Sequence, residues 1–393
     1  MKKMTAIIEF GTSKTVCLVA KNHQDGYSLI GGASAPLQED ALQDIGTAAA
    51  SVRSVVDEVA AKTKVRLRDV VVGVPGQFCS IAIVCADLDL GEDSKQVDDA
   101  DIDRLIFSAQ NFKVPKGFEI LHRCPVSYKL DGRRVLEPCG MTGKQLSGQI
   151  CFLFAETSFL KEVRVMLGRE GLHALDFVAV PLALGLLGMS AKERDDVAVL
   201  IDSGYNVTNV SMFRGDGMVF HAVMNRGGYD FARRLAEGMD IPLEDAEQLK
   251  KRFAFGLDTV SEDSFDVVVT ETGQRRRYSH RRVQEIMEAA ASEFLQDVRA
   301  VLEDCDVRLK KNSRIFFAGG GFIMNRGSKE LAEKMLERDV SVVRADAAFM
   351  GTPNFAAAHG VLHFAAGAFE EPEQGSFLAG LPLFKRLLQD KKA

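Results

Sequence analysis

The stretch Val197-Ala198-Val199-Leu200-Ile201-Asp202-Ser203-Gly204-Tyr205-Asn206-Val207-Thr208-Asn209-Val210-Ser211-Met212-Phe213 decides how the chain is read. The apolar run from Val197 to Ile201 predicts a strand covered on both faces. Asp202 and Gly204 open a turn, where glycine accepts φ > 0 and leaves room for a close neighbour. A second strand then alternates. Val207, Asn209, Ser211 and Phe213 point one way, and Thr208, Val210 and Met212 the other. A carboxylate at the mouth of such a unit can order metal-bound water, and turn amides can face phosphate. Taken alone, the stretch fits an ordinary β-hairpin as well.

Two distant stretches share features of this plan. Ala6-Ile7-Ile8-Glu9-Phe10-Gly11-Thr12-Ser13-Lys14-Thr15-Val16 again runs strand, acid, glycine turn, second strand. Near the C-terminus, Arg314-Ile315-Phe316-Phe317-Ala318-Gly319-Gly320-Gly321-Phe322 reads as a strand ending in three glycines, with a helix from about Arg326. The ordered set resembles the superfamily of actin, the heat-shock ATPases and the sugar kinases. There, two acid-bearing turns grip the nucleotide phosphates from opposite sides, and a glycine-rich turn accepts the adenosine.

Composition bounds the reading. A chain of 393 residues suggests two or more subdomains. With 46% hydrophobic and 26% charged residues it can bury sizeable cores. A net charge of -6 argues against a general nucleic-acid binder. The seven cysteines, at positions 17, 79, 85, 124, 139, 151 and 305, lack CxxC or zinc spacing. They read as reduced thiols of a cytoplasmic protein. Met1-Lys2-Lys3-Met4 has no secretory apolar region behind it. No stretch reaches the roughly 18 apolar residues of a membrane span.

After the first hairpin, a strand is expected at Tyr27–Ala33 and a helix from about Asp44 to Lys62. A strand at Asp69–Val74 then ends at Pro75-Gly76, the opening of an α/β domain. From about Gln77 to Glu156, strand-like runs (Phe78–Val84, Phe118–Leu130, Gly148–Phe154) surround one helix, about Asp98 to Asn111. Its acidic first turn suits the positive helix end. This is an inserted α+β subdomain. Val97–Gln110, Glu119-Ile120-Leu121-His122, Asp131-Gly132 and Pro138-Cys139-Gly140-Met141-Thr142-Gly143-Lys144-Gln145-Leu146 resemble the signature of the FtsA family, bacterial cell-division actin homologues. The similarity runs in order from about Thr5 to Phe364.

The resemblance implies an α/β, actin-like, two-lobed ATPase fold with an SHS2-like insert and a C-terminal amphipathic helix. The implied limits are lobe 1 at 1–76, 157–196 and 341–368, the insert at 77–156, and lobe 2 at 197–340. A linker at 369–380 and the terminal helix at 381–393 follow. Beyond the insert, helices are expected at Ser158–Glu170, Pro181–Met189, Tyr229–Glu237, Pro242–Phe253 and Arg281–Leu309. Strands are expected at His173–Val180, Gly217–Asn225 and Val340–Val343, with Ser261–Tyr278 polar and strand-like.

The resemblance further implies ATP or ADP with Mg²⁺ between the lobes. Gly11, Thr12, Ser13 and Lys14 would meet the phosphates from one side. Gly204, Tyr205, Asn206 and the pair Gly227-Gly228 would meet them from the other. Glu9 and Asp202 would hold metal-bound waters. Glu247, Lys250, Gly319, Gly320, Gly321 and Met324 would line the adenosine. A plain strand-to-helix turn also accounts for Gly227-Gly228, and a surface helix pair for Glu247 and Lys250.

Several departures bear on turnover. Glu9 stands where the family usually has Asp. Tyr205 and Asn206 stand in two glycine places, Val207 in a threonine place and Asn209 in an aspartate place. Val180 stands where an acid commonly precedes the helix-opening proline, and valine neither binds metal nor accepts a proton. No catalytic residue is assigned, and a slow ATPase is the most expected. Ala289-Ala290-Ala291 lacks the arginine through which members often contact the acidic tail of the division tubulin, FtsZ. The basic run Arg275–Arg282 fits a solvated face, as most charge runs do. His359, on an Ala-rich helix, reads as a core or interface histidine.

Glu370-Glu371-Pro372-Glu373-Gln374-Gly375-Ser376 reads as a flexible acidic linker. Beyond Pro382, Leu383, Phe384, Leu387 and Leu388 gather on one helical face, with Lys385, Arg386, Lys391 and Lys392 beside them. A basic amphipathic helix behind a linker fits an interfacial membrane anchor, and the family ends in the same kind of helix. The alternative is packing on the body. The function implied is an ATP-binding actin homologue that polymerises on the inner face of the cytoplasmic membrane and tethers the FtsZ ring there. Its expected partners are the FtsZ C-terminal peptide, copies of itself, the membrane surface and other divisome proteins through the insert. A pilus-assembly adaptor, a divergent FtsA paralogue, or a kinase or chaperone of the superfamily are the alternatives.

Overall fold

A computed structural model describes residues 4–24, 26–38, 41–256, 264–268 and 273–367. β1 (Met4–Phe10) is buried from Thr5 onward, as an apolar central strand must be. It turns into β2 (Lys14–His23), which pairs with β3 (Gly26–Pro36). The expected helix begins as a tight turn capped by Asp44, whose side chain accepts from the Gly46 N–H. It continues as α1 (Ala49–Thr63), with Val52, Val55 and Val59 buried. β4 (Asp69–Val74) adds to β1 in parallel.

The chain then leaves for the insert. β5 (Cys79–Asp89), β6 (Lys95–Gln96), α2 (Asp99–Ser108), β7 (Phe118–Leu130), β8 (Arg133–Val135), β9 (Thr142–Gly143) and β10 (Gln145–Glu156) follow. The main insert sheet has the order β5-β10-β7-β8, and β6 pairs with β9. Ile102, Leu105 and Ile106 of α2 pack on Ile150, Phe152 and Phe154 of β10. The acidic first turn of α2 does more than complement a dipole. Asp98 and Asp101 form a reciprocal cap, and buried Asp101 takes Lys95 at 2.8 Å and Arg104.

The chain returns through α3 (Thr157–Arg169) and β11 (His173–Ala179), which is parallel to β4. α4 (Val180–Gly188) has Pro181 in its first turn, and short α5 (Ala191–Arg194) follows. The second half opens with the meander β12 (Ala198–Ser203), β13 (Thr208–Arg214) and β14 (Gly217–Met224). Then come α6 (Gly228–Met239), α7 (Leu243–Arg252), the hairpin β15 (Ser264–Val268) with β16 (Arg275–Ser279), and α8 (His280–Asp304). β17 (Ile315–Ala318) lies parallel to β12 and, after α9 (Ser328–Leu336), β18 (Val340–Val342) lies parallel to β17. α10 (Ala356–Gly367) closes the described chain against α4 and β1 of the first half.

The two large sheets are equivalent strand for strand. β14-β13-β12-β17-β18 repeats the order and directions of β3-β2-β1-β4-β11. The alternation expected in β13 holds: Val210 and Met212 enter the second core, and Phe213 the first. α8 stops short of the expected Leu309, at Asp304. Cys305 is extended, which turns Cys305, Val307 and Leu309 onto the second core.

The tip between β13 and β14 is clasped from both sides. The Asp216 N–H donates to Pro125 O on insert strand β7 at 3.0 Å. Gly215 has φ 58, and a Cβ there would stand 2.7 Å from Val126 O, so only glycine fits. Arg194, 7% exposed, donates to Gly215 O at 2.8 Å, to Met189 O, and to Asp216 Oδ1 at 2.7 Å. Arg194→Met keeps the stem but removes the hydrogen bonds to Met189 O, Gly215 O and Asp216 Oδ1. Urea unfolding is expected to show a loss on the order of 2–4 kcal/mol. A loss within experimental error would mean the clasp is held by packing alone.

Candidate functional site

Because β1 and β12 hold equivalent places, Glu9 and Asp202 stand at equivalent strand ends. The turns after them match. The Gly11 N–H donates to Lys14 O at 2.9 Å, and the Gly204 N–H donates to Val207 O at 2.9 Å. The turns also touch, since the Asn206 N–H donates to Thr12 Oγ1 at 3.0 Å. The loop after β4 joins the same seam. His221 Nε2 lies 2.9 Å from Gly76 O, and its Nδ1 lies 2.9 Å from Ser211 Oγ. A carbonyl only accepts, so Nε2 carries the proton and Nδ1 accepts from the hydroxyl.

Glu9 is 7% exposed, and burial pushes its carboxyl up to about 7; Lys14 opposes the shift and Asp202 adds to it. Asp202 is partly exposed, yet burial of its carboxyl pushes it up to about 6, against an Asn209 hydrogen bond and Lys14. Burial lowers the Lys14 ammonium, while both carboxylates raise it. The Lys14 Nζ lies 3.8 Å from the centre of the Phe355 ring. Asn206 Oδ1 and Asn209 Oδ1 are buried acceptors with no protein donor. Two carboxylates and orphaned amide oxygens are hard oxygen donors, the set that suits a hydrated Mg²⁺. Val180 lines this site as an apolar wall: a Cβ on Gly73 would meet Val180 Cγ2 at 3.0 Å and Glu9 Cγ at 3.4 Å.

The glycine turns of the second half nest on one another. The Gly228 N–H donates to Gly204 O at 2.9 Å, and the Gly321 N–H donates to Ser203 O at 2.8 Å. A Cβ would meet Tyr205 O at 2.4 Å from Gly227, Ser203 O at 2.2 Å from Gly319, and Gly204 O at 2.2 Å from Gly321. Protein backbone, before any ligand, therefore demands these glycines. Gly319 also has φ 86.

Lys250 is not on the surface, as a plain helix pair would have it. It is 5% exposed and donates to Gly228 O and Glu247 Oε1, each at 2.7 Å. It therefore braces the Gly227-Gly228 turn. Met324 is 44% exposed and Ser13 is exposed, so neither is fixed by packing. The arginines of the basic run are all exposed, as a solvated face requires, although Arg276 and the Tyr278 hydroxyl also reach buried Asp245 at 3.2 and 2.7 Å. His359 is buried, with Nε2 donating to Met350 O at 3.0 Å, a structural contact. Leu383, Phe384, Lys385, Arg386, Leu387 and Leu388 lie outside the described residues. Sequence reading assigned no role to His221 or Phe355, which reach the seam from far along the chain.

The model of the SHS2 domain inserted in FtsA matches residues 84–153, and that of the cell division protein FtsA matches residues 199–360. The chain belongs to the FtsA family. Among its relatives is the cell division protein FtsA of Bacillus subtilis (strain 168), 25% identical over 91% of this chain and 82% of that one. That of Neisseria meningitidis serogroup B is 24% identical over 95% of this chain and 94% of that one. Solved structures share the actin-like fold. A chain of the PilM–PilN type IV pilus biogenesis complex matches with TM-score 0.63 and 18% identity over 94% of this chain and 99% of that chain. MreB5 of Spiroplasma citri bound to ADP matches with TM-score 0.55 and 11% identity over 92% and 96%. The fold is thus the mixed α/β, actin-like fold of FtsA with its SHS2 insert. Among the described residues, no helix is long and apolar enough to cross a membrane.

The raised Glu9 carboxyl makes a testable statement about pH. Its folded value of about 7 exceeds the ordinary 4.5, so ionising it costs stability as pH rises through that window. In nucleotide-free protein, Glu9→Gln is expected to gain stability over wild type at about pH 8, on the order of 1–3 kcal/mol. Near pH 4 the gain should vanish, because wild type is protonated both folded and unfolded. Thermal melts at both pH values check this, and an equal effect at both would contradict it.

Proposed function

We propose that this FtsA-family chain binds ATP or ADP with Mg²⁺ between its two sheets, assembles with its own copies, and tethers FtsZ to the cytoplasmic membrane at the division site. The observation that carries the reading is the pair of equivalent acid-bearing turns, hydrogen-bonded across the seam, with Lys14 attracted by both carboxylates. In this reading Gly11–Lys14, Gly204–Asn206 and Gly227-Gly228 face the phosphates. Glu9 and Asp202 hold the hydrated metal, which would screen the phosphate charge. Glu247, Lys250, Gly319–Gly321 and Met324 border the adenosine. The limits given above for lobes, insert, linker and tail belong to the same proposal.

Turnover is expected to be slow. Val180, near Glu9, puts an apolar side chain where the family commonly has an acid. Titration calorimetry should show ATP–Mg²⁺ binding that Asp202→Ala weakens about tenfold or more. Phosphate release should stay far below the roughly 10 per second of a median enzyme. Folded protein that binds neither ATP nor ADP would end this reading.

The FtsZ peptide would have to use a surface other than Ala290 and Ala291, which α8 buries in the second core. Membrane attachment rests on the tail sequence. Co-sedimentation with anionic liposomes should retain full-length protein, and lose a chain stopped after Gln374 and the Phe384→Glu variant. Salt should weaken but not abolish binding, since each basic residue contributes about 1 kcal/mol and the apolar contacts resist salt. Equal pelleting of all three would replace the anchor by packing on the body.

A further inference from the structure

We propose that Phe355 is a positioning residue for the Lys14 ammonium, and that the turn Pro353-Asn354-Phe355 couples phosphate contact to the glycine turn Gly319–Gly321. The inference rests on the nucleotide reading above and gives that site an additional working part.

Lys14 has a long, flexible side chain, and both Glu9 and Asp202 attract it. Left to those forces, it would settle into an ion pair with one carboxylate and spend its donors there. The Phe355 ring, 3.8 Å from Nζ to centroid, supplies an uncharged attraction from another direction. A ring face fixes where the ammonium sits without taking up a hydrogen-bond acceptor. The N–H groups turned away from the ring therefore remain available to an anion.

Phe355 is itself held in place. Its N–H donates to Thr352 O at 2.9 Å, and the Thr352 hydroxyl donates to Asn354 Oδ1 at 2.7 Å. The turn runs directly into α10, which is buried in the first core. The same turn also touches the second half. The Gly319 N–H donates to Pro353 O at 3.1 Å, and a Cβ on Gly320 would stand 3.0 Å from Asn354 Cβ. A displacement of the glycine turn must therefore move the ring that orients Lys14. The ligand class this serves is the polyphosphate of a nucleoside di- or triphosphate; a bare nucleoside has nothing for Lys14 to hold.

The test is a double-mutant cycle on the full chain, read by calorimetry with ADP, ATP–Mg²⁺ and adenosine. Phe355→Leu should weaken ADP and ATP roughly five- to thirtyfold, the worth of a desolvated cation–π contact. Phe355→Tyr should restore most of the affinity. In a Lys14→Met background, Phe355→Leu should add little, because its effect passes through the lysine. Adenosine binding should be the same in wild type and Phe355→Leu. Unchanged ADP affinity in Phe355→Leu, an equal loss with and without Lys14, or an equal loss for adenosine would each overturn the proposal.

A second measurement needs no nucleotide. Lysines reductively methylated with carbon-13 are followed by NMR, and Lys14 is assigned by Lys14→Arg. Its methyl signals should be shifted upfield by the ring and return in Phe355→Leu. Absence of that shift overturns the contact itself. The shift without any ADP or ATP binding would sink the nucleotide reading and the coupling, leaving only a structural contact.

Discussion

Burying Glu9 and Asp202 within reach of the Lys14 ammonium leaves the cleft with more negative charge than that lysine neutralises. The fold has no easy relief. Glu9 is paired to Val16 on one side and Gly73 on the other, and Asp202 to Asn209 and Ala318, so neither acid can swing away with its backbone. The remaining ways to lower the energy are proton uptake, which the raised values express, or a bound cation. Much nearby structure serves to hold this unfavourable arrangement in place: the seam through Thr12 and Asn206, the His221–Gly76 contact, and the nested glycines.

What was legible in the sequence was local. Strand, acid and glycine turn are adjacent in the chain, and period-two alternation or an apolar run announces each strand. The insert showed itself as a change of texture, and its signature carried the family. The repeated strand, acid and glycine turn pointed to two like halves, but the strand-for-strand equivalence of the sheets lies in pairings between distant strands. The reasons for the glycines were not legible. Gly227, Gly319 and Gly321 read as ligand-facing turns; the side on which each lacks a Cβ is occupied by the carbonyls of Tyr205, Ser203 and Gly204. A sequence announces that something approaches closely but not what. Lys250 shows the same limit: neither the adenosine-side reading nor the surface alternative foresaw its carbonyl partner on the neighbouring turn.

One hairpin joins the cleft to the insert. At its open end, β13 and β14 carry Asn209, against Asp202 and Gly76, and His221, bonded to Gly76. At its tip, Gly215 and Asp216 lie on β7, and a Cβ on Gly217 would stand 3.0 Å from both Cys124 O and Cys151 Cβ. Both ends are tight, and β13 is buried along nearly its whole length. A close-packed strand pair moves as a body instead of bending gradually. The insert and the acid-bearing turn therefore share one mechanical element, although they lie far apart in the sequence.

The second turn shows how the departures from the family pattern are absorbed. Tyr205 keeps its backbone in register, its carbonyl accepting from the Tyr229 N–H at 2.8 Å, while its ring lies edge-on to Tyr229 at 5.7 Å. The same ring faces Lys250 Nζ at 5.3 Å. The added side chain thus packs on α6 and the brace behind it, and Asn206 turns its N–H to Thr12. Backbone geometry survives the loss of the two glycines. In the slow-turnover proposal, cation demand and water activation are separated, since Val180 offers only carbon where the family commonly has an acid. For the function proposed here, that separation has a consequence. A site that keeps its electrostatic demand for a cation while turning over slowly would respond mainly to occupancy. Nucleotide binding and release, rather than hydrolysis, would then set the state of the seam, and through the β13–β14 hairpin the state of the insert.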